Sequence, residues 1–232
     1  MLVSIIIPVF NEEKTIYEIL SKINKLKNIE KEIIVIDDGS TDNSKKIILE
    51  KCNDFISKKI FLDKNNGKGF ACNSGIKIAT GEIILIQDAD LEYNPENYYD
   101  LLEPFKNNNI KAVYGSRILK GGKRIRPDEI TFIISKLANY FLTFLSNLFN
   151  NQKLTDAHTC YKVVRKEVMN KISLKEKGFN FCPELTAKIS KLGFKIHEVP
   201  IDYFGRNYKD GKKINFVDGL RAIYAIIRYN LF

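Results

Sequence analysis

The sequence is poor in the residues that build metal cages and disulfide frameworks. Its 232 residues include no tryptophan, two histidines and four cysteines. His158 and His197 lie far apart in the chain, so we do not expect a histidine-based metal cage. The cysteines form no C-x-x-C pair, which is typical of reduced thiols in a cytosolic protein and not of a zinc site or disulfides.

Long apolar runs and interdomain linkers are also missing. No stretch reaches the roughly 18 apolar residues of a spanning helix, which predicts a soluble or peripheral protein. The segment MLVSIIIPVFNEE has an apolar run without a basic flank or cleavage site, so it predicts a strand and not a signal peptide. No linker or repeat divides the chain, and 44% hydrophobic content suits a single domain over 1–232.

Negative charge is in the minority. The chain has 37 Lys and Arg against 28 Asp and Glu, a net charge of +9. A basic surface can bind nucleic acid, an anionic membrane or phosphorylated substrates, and charge alone does not choose among them. The basic residues cluster beside apolar helical segments and do not alternate with stacking aromatics, which argues against a nucleic-acid partner.

Short β-branched runs alternate with helical patterns in the first half of the chain. The predicted strands are 3–8, 32–37, 59–63, 82–88 and 111–116. Near-continuous apolar strands joined by helices predict an α/β fold whose parallel sheet is covered on both faces. Beyond residue 116 we expect an amphipathic segment at 128–150, a helix at 183–191, a strand at 194–202 and a last helix at 215–229.

Polar clusters follow three of the predicted strands. They are Asn11 and Glu12 after the first strand, Asp37 and Asp38 after the second, and Asp88, Asp90 and Glu92 after the fourth. In an open parallel sheet the carboxyl ends of the strands meet at one edge, where ligands bind. We therefore expect these side chains to converge on one crevice.

The three carboxylates at 88, 90 and 92 predict a metal site. If the chain stays extended past Gln87, alternation places Asp88, Asp90 and Glu92 on one side. Like charges that close repel one another or take up protons, and a hard cation such as Mg²⁺ relieves them. The alternative interpretation is an acidic turn that caps the helix beginning at Pro95.

Two further segments bear on nucleotide binding. In VIDDGSTDNS, Gly39 suits a tight turn and the next residues suit a helix cap, but only one aspartate is needed to brace that turn. The second aspartate is then available to accept an N–H from a nucleobase. The segment NNGKGFACNSGI, which contains Lys68, is not a P-loop, and the chain has no G-x-G-x-x-G fingerprint, which argues against an NTPase and a dehydrogenase.

Four segments together carry a family resemblance: SIIIPVFNEEKTI, IIVIDDGSTDNS, NNGKGFACNSGIKIATGEIILIQDADLEYNP and YGSR. In order and spacing they resemble the family-2 glycosyltransferases, and are most similar to the dolichyl/polyprenyl-phosphate mannose and glucose synthases. The resemblance covers 2–117 and continues more weakly through 155–168 and 178–206. It implies an A-type glycosyltransferase fold, a GDP- or UDP-sugar donor, Mg²⁺ or Mn²⁺, and inversion at the anomeric carbon. Residues 1–117 would then bind donor and metal, and 118–232 the acceptor.

The resemblance also assigns residues. The positions that match its nucleotide-binding segments are Pro8, Phe10, Asn11, Glu12, Asp37 and Asp38, and we add Lys68 to the substrate-binding set. Asp88 and Asp90 match its metal motif, and we give Asp90 a catalytic role. Glu92 stands where the lipid-phosphate synthases usually have Gln, and a glutamate oxygen is a competent third ligand.

The second half of the chain bears on the acceptor. The run RILKGGKRIR (117–126) has five basic residues and no acid, and an amphipathic segment with a wide apolar face follows it. The last predicted helix repeats the pattern. Basic runs beside amphipathic helices are typical of peripheral proteins at an anionic membrane, here its cytoplasmic face, although an amphipathic helix is also typical of a protein core.

A lipid phosphate is already an anionic nucleophile and needs positive charge to hold it. Arg117, Arg126 and Arg206 are candidates for that contact, and Arg117 is favoured because it ends YGSR. Asp156 matches an acidic position near the acceptor and is either a base or a cap. The alternatives are an enzyme acting on a sugar hydroxyl, with Asp156 or Glu184 as base, and a nucleotide-sugar binding protein without turnover.

Overall fold

The computed structural model describes residues 1–125, 129–206 and 216–231. Within these ranges the strands are β1 (Val3–Val9), β2 (Lys31–Asp37), β3 (Lys58–Phe61), β4 (Ile83–Ile86), β5 (Ala112–Ser116), β6 (Arg124–Ile125), β7 (Lys162–Arg165), β8 (Ile196–Pro200) and β9 (Tyr203–Phe204). The α-helices are α1 (Ile16–Lys25), α2 (Ser44–Lys51), α3 (Lys68–Ile78), α4 (Tyr98–Leu102), α5 (Glu129–Asn150), α6 (Lys166–Met169), α7 (Phe181–Lys191) and α8 (Phe216–Leu231).

Seven strands form one sheet in the order β3-β2-β1-β4-β7-β5-β8. The first four strands are parallel to one another, and β5 is parallel to β8. Strand β7 runs antiparallel to both of its neighbours, β4 and β5. The fold is therefore α/β with a mostly parallel sheet, as the strand–helix alternation predicted, and the reversed strand belongs to the half that follows the lapse in alternation.

The central strands are buried on both faces because helices cover the sheet on each side. Ile5, Ile6 and Ile7 in β1 are fully buried, and burying such a side chain contributes about 1.5–3 kcal/mol. Helix α1 buries one apolar face, formed by Ile16, Ile19, Leu20 and Ile23. At Gly75, helix α3 comes so close that an added Cβ would lie within 3 Å of side chains on β1 and β2. The parallel pairing of β1 with β2 and with β4 brings the carboxyl ends of these three strands to one edge.

Helix α5 packs with its polar side inward. Its buried polar side chains are Thr143, Ser146 and Asn150, and its exposed apolar side chains are Leu137, Tyr140, Phe141, Phe144 and Leu148. The wide apolar face predicted from the sequence is therefore present, but in the part of α5 whose side chains are described it is not the face that packs on the core. No helix in the described part of the chain has both the length and the apolar character that crossing a bilayer requires.

Candidate active site

The end of β1 is tied to the turn that follows β2. Asn11 has a positive φ of 52°, and its side-chain carbonyl accepts the backbone N–H of Thr41 at 2.8 Å. The backbone N–H of Asn11 donates to Ser40, and that of Glu12 donates to Ser44 at 2.8 Å. Pro8 lies within β1, and Phe10 directly follows this strand. These bonds fix the two strand ends relative to each other, and the Glu12 carboxylate accepts a hydrogen bond from the Arg206 guanidinium at 3.0 Å.

Asp37 and Asp38 both have structural partners. Asp37 accepts the backbone N–H of Ser40 at 2.9 Å, while the two oxygens of Asp38 accept the N–H groups of Asn66 and Gly67 at 2.9 and 2.7 Å. Burial raises the pKa of Asp38. The inference that the turn leaves a second aspartate without a structural task was wrong, because Asp38 braces a loop distant in sequence. Nucleobase recognition by these two residues stays a prediction.

The acidic segment after β4 bends and does not continue as an extended chain. The strand ends at Ile86, bends occupy 89–92, and Asp90 accepts the backbone N–H of Glu92 at 3.1 Å. The expectation of an extended chain past Gln87 was therefore wrong, because this aspartate closes a local turn. The neighbouring carboxylates at 88 and 90 nevertheless meet at the sheet edge that the sequence predicted.

Each carboxylate of the segment faces positive charge or a donor from elsewhere in the chain. Lys68 lies 2.5 Å from Asp88, and an Arg206 nitrogen lies 2.7 Å from Asp90. The oxygens of Glu92 accept from the backbone N–H of Arg206 at 2.8 Å and from the Tyr203 hydroxyl at 3.0 Å. Glu92 therefore fastens the segment that carries Arg206.

The two carboxylates Asp88 and Asp90 have pKa values that are shifted in opposite directions. Burial opposes ionisation of Asp88, but the adjacent Lys68 ammonium holds the pKa of Asp88 below its usual value. At Asp90, burial and the charges of Asp88 and Glu92 raise the pKa to about 7, although Arg206 acts in the opposite direction. The cluster thus holds more negative charge than its neighbours compensate.

The donor set fits a hard divalent cation shared with a diphosphate. In the described part of the chain, no three His, Cys, Asp or Glu side chains together form a metal cage. Mg²⁺ often takes one or two carboxylates and completes its coordination with water and substrate phosphates. Asp88 and Asp90 supply oxygens of that kind, and the raised pKa of Asp90 marks charge that such a cation would relieve. Metal binding by Asp88, Asp90 and Glu92 stays a prediction.

A second charged pair lies at the end of β5. Arg117 directs its Nε and Nη2 at the Oδ2 and Oδ1 of Asp156, at 2.6 and 2.8 Å, and its backbone N–H donates to the same carboxylate. Asp156 is fully buried. Burial opposes its ionisation, but the charge and hydrogen bonds of Arg117 hold the pKa of Asp156 well below its usual range. A carboxylate with so low a pKa, whose oxygens already accept hydrogen bonds from an arginine, is a poor general base.

The second base considered from the sequence, Glu184, is not available to a substrate. Its side chain is fully buried in α7, and its oxygens accept the backbone N–H groups of Lys175 and Glu176 at 2.8 Å. The Lys188 ammonium forms an ion pair with the Glu184 carboxylate at 2.5 Å. Glu184 braces the loop before α7, and its assignment as an alternative base was wrong.

Arg206 joins two strand ends. Its guanidinium contacts the Glu12 carboxylate at 3.0 Å and that of Asp90 at 2.7 Å, with Glu92 at 3.7 Å. The structure thus places the Arg206 guanidinium at the acidic edge of the sheet, in direct contact with the carboxylates. Arg126, the third arginine proposed for the acceptor, lies outside the described residues.

Two residues near the Arg117–Asp156 pair were not identified from the sequence. Glu198 on β8 accepts the backbone N–H groups of Thr155 and Asp156 at 2.6 and 2.9 Å. Asn139 on α5 donates to Asp156 Oδ1 at 3.1 Å. The sequence holds no signal for either, because both contacts depend on how distant elements pack.

Comparison with known proteins matches these segments to one family. The model for glycosyl transferase family 2 matches residues 4–173. A dolichol-phosphate mannosyltransferase of Pyrococcus furiosus is 32% identical over 99% of this chain, which spans 64% of that relative's length. The UDP-N-acetylglucosamine–dolichyl-phosphate N-acetylglucosaminyltransferase of Methanococcus voltae is 29% identical, with 97% of this chain and 95% of the relative covered.

Solved structures share the fold at low identity. A glucosyl-3-phosphoglycerate synthase from Mycobacterium tuberculosis superposes over the whole chain, and over 81% of its own, with a TM-score of 0.75 and 17% identity. The same enzyme in complex with Mn²⁺, UDP-glucose and phosphoglyceric acid gives the same TM-score and identity over 80% of its chain. At this identity the likeness shows the fold.

Proposed function

The chain belongs to glycosyl transferase family 2, and we propose that it is an inverting hexosyltransferase that moves a hexose from a GDP- or UDP-sugar to a polyprenyl or dolichyl phosphate. The observation that carries the lipid acceptor is the inverted packing of α5, whose polar side chains face the Arg117–Asp156 region while its apolar side chains face outward. Both curated relatives are named for transfer to a dolichol phosphate, which supports the same acceptor class.

In this proposal the donor lies across the carboxyl edge of the sheet. Asn11, Asp37 and Asp38 hold the nucleoside side, and Lys68 supplies positive charge beside Asp88. Asp88 and Asp90 would hold Mg²⁺ or Mn²⁺. When bound, that cation neutralises charge on the departing nucleoside diphosphate.

Arg117 holds the acceptor phosphate, because a guanidinium presents several donors to phosphate oxygens. The phosphate monoester is already anionic at neutral pH, so attack on the anomeric carbon requires no protein base. This agrees with Asp156, which is ionised, buried and occupied by Arg117. Transfer to a neutral sugar hydroxyl would need a base, and neither Asp156 nor Glu184 is placed to serve as one.

The outward faces of α5 and α8 would rest on the membrane. On α8 the exposed apolar side chains are Val217, Leu220, Tyr224 and Leu231. Leaving a large apolar side chain in water forgoes about 1.5–3 kcal/mol, and an interfacial helix recovers it by entering the headgroup region. We assign the cytoplasmic face, in keeping with the four free cysteines.

The test is a matrix of nucleotide sugars against acceptors. GDP- and UDP-hexoses are incubated with Mn²⁺ and either vesicles containing polyprenyl phosphate or a soluble sugar acceptor, and nucleoside diphosphate release and labelled lipid are measured. We expect release with one donor, accompanied by lipid-linked sugar. Transfer to the sugar hydroxyl alone would replace the proposed acceptor, and donor binding without any release would identify a binding protein.

A further inference from the structure

The inner face of α5 is hydrogen-bonded to the short segment 154–157. Asn147 donates to the carbonyl of Leu154 at 2.7 Å and accepts its N–H at 2.9 Å. One turn earlier, Thr143 accepts the N–H of Ala157 at 3.2 Å. Another turn earlier, Asn139 donates to Asp156. Side chains four residues apart lie on one helical face, so three successive turns of α5 hold the 154–157 segment.

Within that segment the carboxylate of Asp156 receives contacts from two directions. Its oxygens accept from Arg117 Nε, Nη2 and N, and its Oδ1 also accepts from Asn139 Nδ2 at 3.1 Å. The backbone of the segment is fixed from the other side by Glu198. The orientation of this carboxylate, and with it the direction of the Arg117 guanidinium, therefore depends on where α5 lies.

The other face of the same helix turns is exposed and apolar. Phe141 and Phe144, which lie 56% and 64% exposed, flank Thr143 in sequence and point away from the 154–157 segment. A surface that covers these side chains acts on the same rigid helix that holds Asp156. The outer face is thus linked to Arg117 through the helix itself, the hydrogen bond from Asn139 to Asp156, and the ion pair between Asp156 and Arg117.

We propose that Asn139 is a positioning residue for the acceptor phosphate, and that it couples the seating of α5 on a membrane to the orientation of Arg117 through Asp156. The inference rests on the proposed function and adds to it a specific link between membrane docking and the acceptor site. Asn139 acts through Asp156 and has no chemical step of its own.

The test replaces Asn139 and a matched residue of the same face. Asn139→Leu keeps the size of the side chain and removes the donor to Asp156. Asn147→Leu removes two hydrogen bonds to the backbone of the same segment and leaves Asp156 untouched, so it controls for loss of stability. Asn139→Asp puts a carboxylate against Asp156 and is expected to have the largest effect.

Four quantities are measured: kcat/KM for polyprenyl phosphate in vesicles, kcat/KM for a soluble short-chain isoprenyl phosphate, the donor Kd, and the slow hydrolysis of donor by water. Asn139→Leu should lower kcat/KM for the vesicle acceptor about tenfold. The ratio of kcat/KM for the vesicle acceptor to kcat/KM for the soluble acceptor should fall about threefold or more. Donor Kd and hydrolysis should stay within about twofold of the parent, since the donor side is built by other residues. Asn147→Leu should lose thermal stability and keep acceptor kcat/KM.

The outcomes separate the inference from the proposed function. A parent that transfers no sugar to polyprenyl phosphate overturns the proposed function and this inference with it. A parent that transfers sugar, with Asn139→Leu equal to it or Asn147→Leu equally impaired, overturns the inference alone. If Asn139→Leu does not fold by circular dichroism, Asn139→Ala removes the same bond without added apolar bulk and is judged by the same criteria.

Discussion

Arg206 lies 2.7 Å from Asp90 and 3.0 Å from Glu12, so one guanidinium from the chain after β9 joins the ends of β4 and β1. The same residue donates its backbone N–H to Glu92. This arginine supplies positive charge at the place where the sequence predicts a divalent cation.

Arg206→Gln should strengthen the binding of Mn²⁺ alone. Removing a positive charge next to Asp90 and Glu12 leaves their negative charge to the metal, and we expect the Kd for Mn²⁺ to fall about tenfold or more, because charges a few Å apart interact by a few kcal/mol at partly buried sites. Electron paramagnetic resonance of free Mn²⁺ measures this directly. The control is Lys22→Gln, which removes an exposed charge paired with Glu18 and should leave the Kd for Mn²⁺ unchanged. If Arg206→Gln binds Mn²⁺ as weakly as the parent, or more weakly, the prediction is contradicted.

Asp90→Asn should abolish Mn²⁺-dependent donor binding while the protein stays folded. Burial, together with the charges of Asp88 and Glu92, raises the pKa of Asp90 to about 7, so a neutral amide relieves the cost of burying this charge and Tm should not fall. Calorimetry with the donor in the presence and absence of Mn²⁺ measures the loss. The exposed Asp100→Asn serves as control, and donor binding that stays metal-dependent in Asp90→Asn removes this residue from the metal site.

Asp38→Ala should affect both stability and donor binding. The N–H groups of Asn66 and Gly67 lose their acceptor, which costs about 1–3 kcal/mol. Loss of a nucleobase contact should raise the donor Kd about tenfold. Urea unfolding and donor titration are compared with the exposed Asp63→Ala. Lower stability with unchanged donor affinity would show that Asp38 is a brace for the loop and has no part in nucleotide recognition.

Replacing Phe141 and Phe144 by Ser should release the protein from vesicles without unfolding it. Both side chains are exposed, so little burial is lost on substitution, and donor binding should be unchanged. Co-sedimentation of the parent should be stronger with anionic than with neutral lipid and decrease with salt. Leu49→Ser with Tyr99→Ser removes two exposed apolar side chains from α2 and α4 and is the matched control. Undiminished sedimentation of the α5 variant would show that this helix is not the anchor.

His158 should make the fold less stable in mild acid. Burial, with Lys162 and Arg117 nearby and Asp156 opposing them, lowers the pKa of His158 to about 4. The unfolded chain takes up a proton near pH 6.5 and the folded protein does not until about pH 4, so stability falls as the pH drops through that interval, by on the order of 3 kcal/mol.

Urea unfolding of the parent and of His158→Asn at pH 8, 7, 6 and 5 isolates this contribution, because the other titrating groups cancel in the difference. The variant should lose part of the decline between pH 7 and pH 5. Parallel curves for the two proteins would mean that His158 is not kept neutral in the folded state.

Most of the correct sequence predictions followed from the local periodicity of apolar residues. The alternation of β-branched runs with helical periodicity established an α/β sheet, because strand and helix repeats differ and each buries its own apolar face. The same periodicity gave the apolar face of α5. Parallel strands then required the polar residues after β1, β2 and β4 to meet at one edge.

Only the tertiary structure decided which partners those residues have. Periodicity gives the side of a helix on which apolar residues lie, but not what covers that side, and on α5 it is the polar side that meets the core. Asp38 and Gly67, Glu184 and Lys175, and Arg206 and Glu12 are pairs whose members come from different elements. Such contacts depend on how the whole chain packs, and no residue spacing encodes them. The sequence by itself therefore determined the fold class and the edge at which the acidic side chains lie, and the packing of distant elements determined which charges meet there.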